Sequence, residues 1–87
     1  MNNDADIIVI LEGFAAAKTE TNLFGETQVN VEDIMVKIYC QTSLKYKFFK
    51  QYLRFLNDKN CFVNNDPNQG LSENGKQYLA ELKNHGG

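Results

Sequence analysis

Lys47, Lys50, Gln51 and Arg54 sit within the run TSLKYKFFKQYLRFLNDK, residues 42–59, and recur at i, i+3, i+4 and i+7. That interval places all four on one face of an α-helix. Ammonium and guanidinium groups can neutralise phosphates there. Arg and Gln can also each make paired hydrogen bonds to a base edge, Arg to guanine and Gln to adenine. No acid interrupts the face until Asp58, in the last turn. Ordinary solvated faces mix charge signs, because ion pairs four residues apart favour it. A face of Lys, Arg and Gln alone suits a polyanion. Thr42, Ser43, Lys45 and Tyr46 open the same stretch, where a helix N-terminus itself favours phosphate. Lys37 and Lys59 flank it as candidates for phosphate-backbone contacts only.

The helix that must carry these groups is expected over residues 43–58, capped by Thr42 or Ser43. Its opposite side is apolar: Leu44, Phe48, Phe49, Tyr52, Leu53, Phe55 and Leu56. Before it, Val31, Ile34, Met35 and Ile38 make a one-sided stripe that predicts a helix over 31–40. Asn30 is its expected N-cap, and Asp33 falls in the first turn, where negative charge is favoured. Only Tyr39 to Gln41 remain as a turn between the two helices. A first helix is expected over 5–20. Its residues Ile7 to Leu11, Phe14 and Ala15 to Ala17 point in nearly every direction, which predicts burial on more than one side. In so small a domain, the second neighbour is either a second copy of the chain or, where this is the central core helix of a monomer, the rest of the same chain.

The remaining segments complete the order. Residues 21–27, TNLFGET, read as a loop around Gly25, and Gln28 and Val29 as a short strand. Asn60 to Asn64 suit a strand, Asn65 to Asn68 a turn with Pro67, and Gln69 to Leu71 a returning strand. Ser72 caps a last helix over 72–84 that buries Tyr78, Leu79 and Leu82, with Gly75 permitting close approach of a neighbour. The expectation is a single domain over 1–87, mainly α with a small β-hairpin wing over 60–71. That is a winged helix-turn-helix.

Bulk properties bound the function. The chain has 87 residues, 43% apolar and 23% charged, as an ordinary single domain does. No apolar run approaches the roughly 18 residues of a membrane span. The acidic start, MNNDAD, lacks the basic beginning of a signal peptide, so a reducing cytoplasm is expected. Cys40 and Cys61 stand among apolar neighbours and are expected to be buried free thiols. With the lone His85 they are too few for a zinc site. The net charge is −2, but it is unevenly spread. Residues 1–36 hold seven acids and one lysine, whereas residues 37–59 hold six bases and one acid. Local potential steers a polyanion more than net charge does. One His, no Gly-rich phosphate loop and no convergent carboxylate pair leave nothing to run a reaction. The expectation is therefore no enzyme, no cofactor and no metal.

The run IYCQTSLKYKFFKQYLRFLNDKN, followed by a hairpin and then LSENGKQYL, resembles the small archaeal winged-helix DNA-binding proteins of the ten-kilodalton Sulfolobus type. The resemblance spans roughly residues 31–83. It rests on Leu44, Tyr46, Tyr52, Leu53, Phe55, Leu56, Leu71, Ser72, Gly75, Tyr78 and Leu79. It implies a nucleoid-associated homodimer that binds double-stranded DNA through helix three in the major groove and regulates transcription. The last helix ends near Asn84, without the long C-terminal coiled coil of some relatives, so a dimer would use helix one, the C-terminal helix or both. The wing, NNDPNQ, holds no Lys or Arg, whereas family wings often reach DNA with a basic residue. A dimer making six to ten phosphate contacts should lose about 10³–10⁵ in affinity between 50 and 200 mM salt. The neutral-to-acidic wing and the acidic first helix keep a second reading open, a winged-helix protein-interaction module that does not bind DNA.

Overall fold

Helix α1 (Asp4–Ala16) supplies the centre of the core, with Ile7, Ile10, Leu11 and Phe14 buried. The structure is a computed structural model that describes residues 4–42, 44 and 46–85. The described residues form four α-helices and one two-stranded antiparallel sheet: α1, β1 (Glu20–Thr21), β2 (Thr27–Gln28), α2 (Val31–Gln41), α3 (Tyr46–Asp58) and α4 (Glu73–His85). None of these helices is long and apolar enough to cross a membrane.

Helix α1 is apolar around most of its girth because the chain covers it from several sides. It packs on α4 and on α2. From α3, the Tyr52 hydroxyl donates to the Asp6 carboxylate at 3.2 Å. Phe14 meets Phe62 with ring centroids 4.9 Å apart and planes tilted 56°, a favourable aromatic geometry. Cover for α1 on these sides comes from within the same chain. The helix also ends at Ala16, four residues before the expected boundary of 20. Ala17 closes it by donating to the Phe14 carbonyl, and the chain then enters a hairpin.

That hairpin was expected as a loop. Glu20 pairs with Gln28 and Thr21 with Thr27, and the β-branched threonines suit the pairing. Asn22 builds the turn. Its side-chain oxygen accepts from the Phe24 and Glu26 backbone N–H groups at 2.9 and 3.0 Å. Its own N–H donates to the Glu26 carbonyl, and the Gly25 N–H donates back to the Asn22 carbonyl. Gly25 has φ 79°, a left-handed conformation that costs glycine little. Val29 is not part of the strand; it is buried in the core and donates its N–H to the Asn68 carbonyl at 2.7 Å.

Helix α2 begins as expected, with Asn30 accepting from the Asp33 N–H at 3.2 Å and Ile34 and Ile38 buried. It runs to Gln41, one residue past the expected end. Thr42 ends α2 and does not cap α3. Its N–H and its hydroxyl both donate to the Ile38 carbonyl at 2.9 Å, and its hydroxyl oxygen accepts from the Leu44 N–H. Helix α3 starts at Tyr46, not at 43, and Leu44 is buried ahead of it. Of the expected buried thiols, Cys61 is buried and Cys40 is exposed, one residue before the end of α2.

Residues 60–71 do not form a two-stranded wing. Phe62 and Leu71 make a single antiparallel bridge, and between them lie two 3-10 turns, Val63–Asn65 and Pro67–Gln69. The cause is local. Asn64 and Asn65 take left-handed φ values of 54° and 56°, which curl the chain out of an extended path. Pro67 has no N–H for a ladder. The Asp66 carboxylate accepts from the Asn68 backbone and side-chain nitrogens, both at 3.0 Å, holding the second turn closed. Ser72 caps α4 as expected: its hydroxyl oxygen accepts from the Gly75 N–H at 3.1 Å and its O–H donates to the Asn60 carbonyl at 2.6 Å.

Candidate nucleic-acid interface

Helix α3 is anchored by Phe49, Tyr52 and Leu56, which are buried at intervals of three and four residues. These anchors fix its rotation, and Lys47, Lys50, Gln51 and Arg54 consequently all lie exposed on the opposite side. The face read from the sequence is therefore present. Asp58 is exposed in the same helix's last turn. Glu32 of α2 and Lys50 line one cleft, together with Met35 and Leu53, so a carboxylate stands at the margin of the basic face.

The apolar side is narrower than expected. Phe48 is exposed, because it lies about 70° around the helix from the buried line at about 100° per residue. Leu53 and Phe55 are half-buried for the same reason.

The other candidates separate. Thr42 spends its hydroxyl within the α2–α3 turn and positions the helix that follows. Ser43, Lys45 and the Tyr46 side chain lie outside the described residues. Lys37 does not join the α3 face; it lines a groove between α1 and α2 with Val9, Gly13 and Ile38. Lys59 follows α3 and places its ammonium 5.1 Å from the Phe55 ring centre and 5.4 Å from that of Tyr78. It thereby ties α3 to α4 by cation–π attraction. Beneath it, burial pushes the Cys61 thiol up, partly opposed by the Lys59 charge. The Tyr78 phenol is pushed up as well, first by burial and then by the charges of Asp4, Cys61 and Glu81.

The segment 60–71 offers no base. Asn64 donates its side-chain N–H to the Gln69 side-chain oxygen at 3.0 Å, so part of its amide chemistry is used internally. Among the described residues no group of His, Cys, Asp and Glu is placed to hold a metal ion. The sequence reading missed Leu23 and Phe24, which the Asn22 turn holds out in solvent, 100% and 86% exposed. The available signal was Asn followed three residues later by Gly between paired threonines, a hairpin-turn pattern.

No protein family, curated protein sequence or solved structure matches this chain.

Proposed function

We propose that this chain binds double-stranded DNA, with α3 laid in the major groove, as a sequence-specific transcriptional regulator of winged helix-turn-helix type. The observation that carries the reading is the outward face of α3: Lys47, Lys50, Gln51 and Arg54 exposed together, with no acid among them. An α-helix with its side chains is about 10–12 Å across, and the major groove is about 12 Å wide. Arg54 and Gln51 are the base-reading groups in this proposal, and Lys47 and Lys50 meet phosphates. The compact segment 60–71 takes the place of a wing and offers Asn and Gln in place of a cation. The acidic first third lowers non-specific affinity, which favours a regulator over a bulk packager of DNA. The working form is a homodimer in the cytoplasm, associated with the nucleoid.

Replacing Lys50 and Arg54 by Ala tests the assignment. Both are exposed, so the fold should survive, and duplex affinity should fall. An affinity equal to that of the parent chain refutes the role of α3. Absence of duplex binding altogether favours the protein-interaction reading, which the segment 60–71, with one Asp and no Lys or Arg, and the exposed Leu23 and Phe24 support.

A further inference from the structure

We infer that the hairpin tip, Leu23 and Phe24, is a knob that seats in the α1–α2 groove of a second copy of this chain, two copies exchanging hairpins about a twofold axis. The inference names a surface for the homodimer proposed above and is tested without nucleic acid, so the two readings can fail separately.

The knob is an ordered one. Leu23 and Phe24 have 100% and 86% of their surface in water, yet their turn is fixed by the Asn22 side chain and by two backbone hydrogen bonds. Two large apolar side chains are held out together on a turn that needs little further ordering on binding, so their burial is not offset by the cost of freezing a loop. The groove has a volume of about 270 Å³ and an apolar lining of Val9, Ala16, Ile34 and Ile38. Gly13 also lines it.

Charge selects the occupant. The groove's one acid, Glu12, is paired with Lys83 at 3.2 Å. Lys37, on the groove's other wall, makes no ion pair among the described residues, and neither do Glu20 and Glu26 of the hairpin. An acidic hairpin with an apolar tip therefore faces an apolar groove with an unpaired lysine. The same acids turn the tip away from phosphate, whether of nucleic acid or of an anionic lipid surface.

The placement allows exchange. Ala17, Ile34 and Lys37 line both this groove and an adjoining depression that includes Lys18 and Glu20, so the groove opens at the foot of the hairpin. At about 3.3 Å per residue, the tip extends roughly 10 Å beyond Glu20. Knob and socket lie side by side on one molecule, the condition for a closed, self-complementary twofold contact.

Sedimentation equilibrium of the full chain, from micromolar to submillimolar and free of nucleic acid, tests the inference. A dimer is expected. Leu23→Ser with Phe24→Ser should raise its dissociation constant about a hundredfold or more, with the circular dichroism spectrum unchanged because neither side chain supports the core. Lys37→Glu should weaken the dimer, and adding Glu26→Lys should restore it. A monomer at all concentrations, a dimer indifferent to the tip substitutions, or a Lys37→Glu defect that Glu26→Lys does not recover overturns it.

Discussion

Adding one methyl group at Gly75 sets two effects of opposite sign against each other. Glycine in a helix is worse than alanine by about 1 kcal/mol, so Gly75→Ala should stabilise α4 on propensity alone. Here the space is taken. A Cβ at Gly75 would overlap the Cys61 carbonyl oxygen and come within 3.1 Å of Leu71 Cδ2. That carbonyl cannot swing aside freely, because it accepts from the Ser72 N–H at 2.9 Å, next to the 2.6 Å bond from the Ser72 hydroxyl to Asn60. Helix α4 must therefore withdraw from residues 60–62. Loss of those hydrogen bonds costs about 1 kcal/mol each, and forced repacking about 1–3 kcal/mol. Set against the propensity gain, the expected net loss is at least about 2 kcal/mol. In a domain of this size that corresponds to a fall in Tm of roughly 10–15 °C. Urea and thermal unfolding followed by far-ultraviolet circular dichroism would measure it. Gly13→Ala is the control. Its Cβ would meet Ile34 Cγ2 at 3.1 Å and Ile38 Cδ1 at 3.4 Å, ends of side chains that can yield. The helix gain then nearly cancels the crowding, and stability should stay within about 0.5 kcal/mol of the parent. A Gly75→Ala chain as stable as the parent would refute the reasoning.

Two further outcomes follow from the environment of Cys61. Burial holds the Cys61 thiol and the Tyr78 phenol above their ordinary values of 9.0 and 10.0, so the folded chain keeps protons that the unfolded chain releases. Their contribution to stability is complete below the unfolded values and is lost as pH rises through the raised folded ones. Urea midpoints should hold up to about pH 9 and then fall, and Cys61→Ser should remove the earlier part of the fall; an undiminished early fall in that variant would contradict the assignment. Separately, a thiol reagent at neutral pH should modify the exposed Cys40 quickly and the buried Cys61 only after denaturant is added. Rapid modification of both would show that Cys61 is not shielded.

The α-helical frame was legible because its signals are local. The α2 stripe of Ile34 and Ile38, the Asn30 and Ser72 caps and the polar face of α3 each follow from residues within two or three turns of one another. What failed depended on competition between local structures. The apolar run Cys61, Phe62 and Val63 between asparagines suggested a strand, but left-handed Asn64 and Asn65, with the Asp66 cap, favoured tight turns. At residues 17–28 the helical pattern of α1 ran into threonines that gained partners only when the Asn22 turn closed. The second neighbour of α1 stayed open because apolarity in every direction reports burial without reporting by what; α2 and α4 of the same chain cover the sides they pack on. Lys37 and Lys59 could not be assigned from charge alone. Their direction is set by the groove and by the Phe55 and Tyr78 rings.

Fluorescence anisotropy of a labelled duplex, titrated at several salt concentrations, would decide whether α3 is a DNA-binding helix. Two phosphate-contacting cations per protomer, Lys47 and Lys50, make four in the homodimer and predict a slope of about −3.6 in log affinity against log salt, or roughly 150-fold between 50 and 200 mM. Lys50→Ala with Arg54→Ala should reduce the slope by about 1.8. No binding at low salt, or a slope unchanged by the double substitution, would contradict the proposal.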